Sequence, residues 1–343
     1  MYREQATLRR PTRNDVARTA QVSGATVSRV LSGRSDLAIS EETRARVLAA
    51  AQQLGYRPNQ AARSLVTGRS HTIGLWTIDS FTPFYSDIAR RMTELAVPAG
   101  YRVAVQHMAS YQAALEATAL PQFDGILTCD LHHPSYIASL RALQAPLVFM
   151  GTYHPTEGDY VGVDLYAGAV RAMEHLLSRG GKRIAFMAYT GGYSLEDPRC
   201  RAYATLMEQA GLKTEILYTP RHGRAAARQA IGTYVRARGC PEALFCFNDE
   251  VAIGCYRGLY DLGVRVPQDV ALVGCDGIED MEYLECPLTT IVQPVETMCA
   301  LAWQYLEQRI NDPTTAPQQA ILQPQLVIRE SSCHPAVRPL GHS

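Results

Sequence analysis

Between His71 and Gly274 the apolar residues form short continuous runs, and a stretch with the period of an amphipathic helix follows most of them. Runs that are apolar on both faces and separated by helices are typical of a parallel sheet covered on both sides. The pattern predicts strands at 71–78, 102–107, 125–129, 147–150, 160–163, 183–188, 215–218, 243–247 and 270–274. It predicts helices at 84–99, 112–120, 135–143, 167–179, 199–210, 224–238 and 250–262. Because the alternation runs through two successive halves, we expect an α/β fold with two doubly wound lobes.

The first 70 residues follow a different pattern, with three short helical segments and no strand. Residues 15–20 predict one helix, and Ser23 is placed to cap a second helix, 24–31. A third helix is expected from Ser40 to Gly55, where glycine is a plausible C-cap. Three short helices within about 50 residues are typical of a helix-turn-helix module.

The second of these helices has two chemically different faces. Val27, Val30 and Leu31 share the apolar face. Small residues at the start of the other face allow close approach to base edges, and an arginine further along can reach guanine O6 and N7. The exposed face is expected to carry Gly24, Ala25, Ser28 and Arg29. The pattern therefore favours a recognition helix for the major groove of DNA.

The segment that follows the third helix predicts a short conditional helix. Pro58 breaks the preceding helix, and Asn59 can cap a new one that ends near Leu65. Fewer than two turns are unstable alone, so this helix should form only when something packs against it. Arg63 and the large apolar Leu65 could then enter a minor groove, where apolar side chains wedge base steps apart. An ordinary linker with an incidental helical turn is the alternative.

Charge separates the two parts of the chain. Residues 1–70 contain twelve arginines, no lysine and five acidic residues, a net charge of +7, and the remaining residues carry 21 basic and 28 acidic side chains, a net charge of −7. A basic end module on a helix-turn-helix pattern is the expected footprint of phosphate contacts.

Composition excludes several other classes of protein. With 343 residues, 47% of them hydrophobic and 19% charged, the chain can bury sizeable cores in two or three domains. We expect no signal peptide, because residues 1–11 are polar and arginine-bearing and contain no apolar h-region. No apolar run approaches 18 residues, so we also expect no membrane contact and hence a cytoplasmic protein. The nine cysteines show no CxxC spacing and are expected to be buried reduced thiols. Neither a metal nor a cofactor is predicted, and no GxSxG, P-loop or HExxH motif indicates an enzyme.

Polar side chains stand where the predicted parallel strands end, and ligands bind beyond this edge of an open sheet. Asp79, Asp164 and Asp276 each follow a strand. Carboxylates and amides pair with vicinal hydroxyls, and an aromatic face stacks on the apolar side of a sugar. The alternative has the acids as helix N-caps. We favour the capping role for Asp249 and ligand contact for Asp276.

Several motifs together carry a family resemblance that covers nearly the whole chain. They are Asp15-Val16-Ala17, Ala25 to Gly33, Leu54 to Asn59, Ala62 to Leu65, Val161 to Asp164, Gly181 to Phe186, Asn248 to Gly254, Val273 to Asp276 and Pro287 to Ile291 with Gln293-Pro294. The chain thus resembles the LacI/GalR family of bacterial transcription regulators. The resemblance implies a headpiece at 1–58, a hinge at 59–70, and a two-lobed, periplasmic-binding-protein-like core at 71–343 that dimerises and binds an effector.

The resemblance also implies residue roles. Gly24, Ala25 and Arg29 would read bases, and Leu65 would be the minor-groove wedge. The full set expected to bind DNA is Ser23, Gly24, Ala25, Thr26, Ser28, Arg29, Asn59, Arg63 and Leu65. The set expected to bind the effector is Asp79, Phe84, Tyr85, Tyr153, Asp164, Arg199, Asn248, Asp276 and Gln293.

Two departures from the family pattern bear on the identity of the effector. Gly151 stands where members often carry an aspartate, and Tyr153 stands in place of an arginine. The second departure is that the segment 217–223 lacks the usual phenylalanine.

The resulting hypothesis is a sequence-specific regulator, most simply a repressor, that binds a pseudo-palindromic double-stranded DNA operator as a homodimer. A small ligand, expected to be a sugar or sugar derivative, would control it from between the lobes. Control by a partner protein is one alternative, and a sugar receptor or an enzyme acting on a sugar in the same cleft is another.

The hinge hypothesis makes a direct prediction. Leu65→Ala should weaken binding to the operator far more than binding to non-specific duplex, because only the specific complex holds a wedged base step. Titration of both duplexes at one salt concentration measures the two losses. An equal loss on both would contradict a wedge at Leu65.

Overall fold

The computed structural model describes residues 11–31, 39–57, 64, 68–79, 81–108, 123–130, 134–152, 157–189, 197–219 and 223–333. The chain divides into two compact units, residues 1–70 and residues 71–343. The predicted hinge helix and the predicted helix at 112–120 lie outside the described residues, apart from Ser64.

The first unit contains three helices, as its sequence pattern predicts. They are α1 (Arg13–Thr19), α2 (Gly24–Leu31) and α3 (Glu41–Leu54). Helix α1 begins two residues earlier than expected because Thr12 and Asp15 form a reciprocal capping box at its start. Helix α3 ends at Gly55, whose φ of 62° is the left-handed conformation that glycine adopts at little cost.

A small apolar core joins the three helices. Val16 from α1, Val27 and Val30 from α2, and Val47 from α3 are each at most 4% exposed. The period of the apolar residues therefore decides which face of α2 is buried, and the opposite face is left for contacts outside the unit.

The second unit contains two six-stranded sheets, and the predicted α/β fold is confirmed. The first sheet is wholly parallel, with the strand order β11-β5-β4-β3-β1-β2. Its strands are β1 (Thr72–Thr77), β2 (Arg102–His107), β3 (Gly125–Cys129), β4 (Leu147–Gly151), β5 (Asp159–Val163) and β11 (Gln319–Leu322). Its described helices are α4 (Pro83–Ala96), α5 (Pro134–Ala142) and α10 (Val295–Asn311).

The second sheet repeats this order as β12-β10-β9-β8-β6-β7, and only β12 is antiparallel to its neighbour. Its strands are β6 (Ile184–Tyr189), β7 (Glu215–Thr219), β8 (Ala243–Cys246), β9 (Ala271–Asp276), β10 (Thr289–Val292) and β12 (Gln325–Val327). Its helices are α6 (Leu165–Ser178), α7 (Pro198–Gln209), α8 (Arg224–Arg238) and α9 (Asp249–Tyr260). Two short 3₁₀ turns lie at Glu279–Glu282 and Glu330–Ser332.

Neither lobe is formed by one continuous half of the chain. After β10 the chain returns to the first lobe, where α10 packs on β3, β4 and β5 and β11 pairs with β5. It then crosses again to add β12 to the second sheet. The late strands escape sequence analysis because β10, β11 and β12 have only three or four residues each and β11 alternates in exposure. Three connections, at Asp164, at Gln293-Pro294 and at Gln323-Pro324, therefore join the lobes.

Seven of the nine cysteines are buried, Cys240 is half-buried and Cys333 is exposed. All nine thiols are free of disulfide bonds.

Helices α8 and α9 approach each other so closely that the contact requires glycine. A Cβ added at Gly258 would overlap Cγ2 of Ile231 and stand 2.7 Å from the carbonyl oxygen of Arg228. By contrast, a Cβ added at Gly232, in the middle of α8, would meet only the end of the Arg236 side chain at 3.5 Å.

The two glycines therefore predict opposite effects of alanine on stability. Gly258→Ala should lower the free energy of unfolding by about 1–3 kcal/mol, because backbone on the facing helix cannot move aside easily. Gly232→Ala should leave it unchanged or raise it by up to about 1 kcal/mol, since alanine favours a helix interior. Denaturant unfolding of both variants measures the difference. Similar values for the two would show that α8 and α9 can separate without cost.

Candidate functional sites

The exposed face of α2 carries the predicted base-reading residues. Ala25, Ser28 and Arg29 are exposed, whereas Val27 and Val30 are buried. Two other predicted DNA-binding residues have a local role as well. The Ser23 hydroxyl accepts a hydrogen bond from the Thr26 backbone N–H at 3.1 Å and lies 2.9 Å from the Thr26 hydroxyl. Ser23 therefore caps α2, as its sequence predicts.

Four predicted site residues lie outside the described residues. They are Asn59, Arg63 and Leu65 of the hinge, and Tyr153 of the effector set.

In the first lobe, a carboxylate that sequence analysis missed is central to the site. Asp130 directly follows β3, and its Oδ2 accepts a hydrogen bond from the Tyr85 hydroxyl at 2.9 Å. Its Oδ1 accepts from the Thr152 backbone N–H at 2.8 Å. Its place after a parallel strand was the available signal, the same one that singled out Asp79 and Asp276.

Asp130 depends on the glycine in the next strand. Gly151 has a φ of 99°, and a Cβ there would overlap Oδ1 of Asp130 and stand 2.9 Å from its Cγ. Gly151 thus leaves open the space that the Asp130 carboxylate occupies.

The other predicted residues of the first lobe lie at the start of α4. Asp79 Oδ1 accepts the Phe81 backbone N–H at 3.1 Å, which shapes the turn before the helix. Phe84 is buried and packs edge-on against Tyr85 with ring centroids 5.1 Å apart. The phenol of Tyr85 is thereby held toward Asp130.

In the second lobe, half-buried Asp276 and buried Gln293 form a polar pair. Gln293 Nε2 donates to Asp276 Oδ1 at 2.9 Å. Within the described residues, Gln293 Oε1 is buried and has no hydrogen-bond partner. An unsatisfied buried oxygen costs about 1–3 kcal/mol, so a ligand that donates to it would recover that free energy.

Arg199 is buried and tightly engaged by the protein itself. Its Nε and Nη2 donate to the two oxygens of Asp197 at 3.1 and 2.8 Å, and Nη1 donates to the Phe247 carbonyl at 3.0 Å. The guanidinium carbon also lies 3.7 Å from the centre of the Phe247 ring. Its charge is therefore largely matched inside the lobe.

The capping role favoured for Asp249 is wrong. Asn248 is the cap of α9, because its Oδ1 accepts the Val251 backbone N–H at 2.9 Å. Asp249 is wholly buried and accepts hydrogen bonds from the backbone of Gly277 at 2.7 Å, the backbone of Ile278 at 2.9 Å and the hydroxyl of Thr290 at 2.6 Å. It braces the loop that carries Asp276.

Asp164 lies at the first connection between the lobes and caps α6. Its Oδ1 accepts the Ala167 backbone N–H at 3.0 Å, and Gln323 Nε2 donates to its Oδ2 at 3.3 Å. The side chain thus links two of the three connections. Asp164 therefore lies where the two lobes are connected, and both of its carboxylate oxygens accept hydrogen bonds from the protein itself.

Electrostatics indicate that the two lobes face each other across these residues. Burial raises the pKa of the Asp276 carboxyl well above its usual range, Asp249 and Asp130 raise it further, and Arg199 and Gln293 oppose the rise. Burial likewise raises the pKa of Tyr85, with contributions from Asp130 and Asp276. Groups that perturb one another must lie close together. Tyr85 and Asp130 of the first lobe and Asp276 of the second therefore lie near one another.

Other kinds of site find no support in the part of the chain that the structure describes. No group of three or more His, Cys, Asp or Glu residues there is arranged to hold a metal ion. None of its helices is long and apolar enough to cross a membrane.

Both units of the chain match models of known protein families. A model of the bacterial regulatory proteins of the lacI family matches residues 12–59, and a model of the periplasmic binding protein-like domain matches residues 173–332. The ribose operon repressor of Escherichia coli (strain K12) is 34% identical over 337 residues, which cover 94% of this chain and 99% of that protein.

Solved structures agree with this assignment. The lac repressor dimer bound to operator and an anti-inducer is 25% identical, with a TM-score of 0.80 over 94% of this chain and 99% of its own. A complex of the transcriptional regulator CelR with cellobiose is 28% identical, with a TM-score of 0.68 over 94% of this chain and 100% of its own.

A helix-turn-helix unit and a two-lobed core with a polar cleft define a ligand-controlled DNA-binding transcriptional regulator. The chain belongs to the LacI family of bacterial regulatory proteins, and the resemblance noted in its sequence is confirmed.

The buried carboxyl of Asp249 predicts a pH effect on stability. Burial raises its pKa from 3.8 to about 6. Between these values the folded state keeps a proton that the unfolded state has lost, so this group lowers stability as pH rises. Two pKa units correspond to about 3 kcal/mol, so from pH 4 to pH 7 the free energy of unfolding of the wild type relative to Asp249→Asn should fall by about 2–3 kcal/mol.

Asp269 supplies the matched control, because its hydrogen bonds with Arg265 lower its pKa to about 2. A lowered pKa adds stability that is lost only as pH falls through the acid range. The difference between the wild type and Asp269→Asn should therefore not fall between pH 4 and pH 7. Denaturant unfolding at both pH values measures the two differences, and a pH-independent difference for Asp249→Asn would contradict the raised pKa.

Proposed function

We propose that this protein is a repressor that binds its operator as a homodimer in the bacterial cytoplasm and responds to an uncharged sugar in the cleft. The proposal of an uncharged sugar rests on the polar groups that face the cleft. Asp130, Asp276 and Gln293 Oε1 are all hydrogen-bond acceptors. Sugar hydroxyls are the donors that such a set pairs with.

Charge argues against an anionic effector. Among the described residues, the guanidinium of Arg199 is matched by Asp197, whereas Asp130 and Asp276 are acidic. A phosphate or carboxylate on the ligand would meet like charges in a partly desolvated site, which costs several kcal/mol. The described residues therefore favour a neutral sugar over a sugar phosphate or a sugar acid.

The relatives support the same class of ligand. The name of the E. coli relative refers to a ribose operon, and CelR was solved with cellobiose. We take a pentose as the first candidate, since the relative named for ribose covers nearly the whole chain.

The far edges of the two sheets are the proposed dimer surface. Val105 on the edge strand β2 is 46% exposed, and Tyr218 on the edge strand β7 is 44% exposed. Tyr260 and Tyr283 expose 59% and 76% of their surface. Exposed aromatic residues are enriched in interface cores. The lac repressor was solved as a dimer on its operator, and a dimer of this chain would present two α2 helices to two half-sites.

Control of DNA binding follows from the three connections between the lobes. A ligand that bridges Asp130 and Asp276 stabilises one relative position of the lobes. Its effect on operator affinity can be no larger than its differential affinity for the two positions.

The thermal melt of the full-length protein with D-ribose, cellobiose, ribose 5-phosphate and glucuronate tests the effector class. A neutral sugar at about a hundred times its Kd adds about 2.7 kcal/mol, which raises the Tm by about 5–10 °C. Ribose 5-phosphate and glucuronate should give no shift. The stabilising sugar should also change the affinity of the protein for its selected operator.

Asp276→Asn should lose most of the sugar-induced shift and keep operator binding, because it removes a carboxylate acceptor from the cleft only. Glu307→Gln, an exposed acid on α10, is the control and should behave as wild type. A shift with the phosphate alone would overturn the neutral-sugar proposal. No shift with any sugar would favour control by a partner protein.

A further inference from the structure

The recognition helix begins with two residues that cannot form side-chain hydrogen bonds to bases. Gly24 has no side chain and Ala25 has only a methyl group. Both stand at the end of α2 that a helix-turn-helix protein points at base edges. On the face that carries them, Ser28 and Arg29 are the remaining polar residues of α2. A reader supplied by another element would make up for this loss.

The side chain of Arg13, the first residue of α1, fills the space that Gly24 leaves open. A Cβ added at Gly24 would stand 3.3 Å from Nε of Arg13 and 3.5 Å from Oδ1 of Asn14. A longer side chain at position 24 would therefore compete with Arg13 for this position. The Arg13 side chain can lie at this position because Gly24 has no side chain.

A hydrogen bond fixes the guanidinium to the recognition helix. Nη1 of Arg13 donates to the Ser28 hydroxyl at 3.3 Å. Gly24 and Ser28 are four residues apart, so they are neighbours on one stripe of α2. The fork of Arg13 thus spans about one turn of the exposed face of α2. When the exposed face of α2 enters the major groove, the Arg13 guanidinium therefore enters with it.

The base of the Arg13 side chain is positioned by the cap of α1. Thr12 and Asp15 form the capping box, and Asp15 also pairs with Arg18. Val16 in α1 and Val27 in α2 are both fully buried in the shared core, which sets the two helices against each other. Among the described residues, no carboxylate forms an ion pair with Arg13, so its charge remains available to DNA.

We propose that Arg13 is a base-reading residue that acts from the surface of the recognition helix in place of the side chain missing at Gly24. This inference rests on the proposed function as a sequence-specific DNA-binding protein. An arginine fork pairs with O6 and N7 of guanine, so Arg13 specifies one G·C pair in each half-site. Arg29, further along α2, specifies another.

The test uses the full-length protein and begins with selection of duplexes from a random pool. The Kd is then measured for the selected operator, for each single base-pair substitution in it, and for a non-specific duplex. Arg13→Ala should weaken operator binding about ten- to a hundredfold and abolish the preference at one G·C pair in each half-site. Arg13→Lys should not restore that preference, because lysine keeps the charge and lacks the fork.

Arg18→Ala is the matched control, since Arg18 is an exposed arginine on the same helix whose partner is Asp15. It should keep the base preferences of the wild type. Equal loss on every duplex after Arg13→Ala, restored by lysine, would mean a phosphate contact and would overturn base reading. Unchanged operator affinity would overturn it as well. A wild type that selects no sequence would instead overturn the proposed function, and this inference with it.

Discussion

The carboxylate of Asp249, which has no exposed surface, holds together the wall of the cleft in the second lobe. It stands at the first residue of α9 and accepts hydrogen bonds from the loop after β9 and from β10. These elements end next to Asp276 and Gln293, which form a mutual hydrogen bond, and Gln293 Oε1 has no hydrogen-bond partner among the described residues. Close packing leaves no room for adjustment, because a Cβ at Gly274 would overlap Asp249. The buried charge costs free energy, and the hydrogen bonds that it accepts fix the geometry of the site.

The first lobe also contains an oriented carboxylate, that of Asp130, which lies nearer to solvent than the carboxylate of Asp249. Asp130 is oriented by Tyr85 and by the backbone of Thr152, and Gly151 provides the space. Each lobe thus contributes an oriented acidic side chain at the carboxyl end of a parallel strand. Such a pair suits a ligand that offers hydroxyl donors on two sides, and it requires the lobes to approach for both contacts to form.

Much of the fold and part of the site could be predicted from the sequence. Continuous apolar runs located the central strands, and the period of Val27 and Val30 identified the buried face of α2. The short edge strands could not be found, because β11 and β12 take their place from pairing with distant strands and not from a local pattern. The cap of α9 was assigned to Asp249 instead of Asn248, since a cap and a buried brace at adjacent positions differ only in the direction in which the two side chains point. The place of Asp130 after β3 could have identified it, but the room that its side chain needs depends on Gly151, which lies 21 residues later.

The three crossings of the chain between the two lobes have a consequence for synthesis and folding. The pairing of β11 with β5 joins Gln319 to Tyr160, so the first sheet stays incomplete until almost the whole chain has left the ribosome. Long-range parallel pairing is slow, and a nascent first lobe would expose the edge of β5 and the surface that α10 later covers. Loss of the last fifty residues would therefore damage the lobe encoded first as much as the lobe encoded second. Neither lobe is therefore encoded by one continuous segment of the sequence.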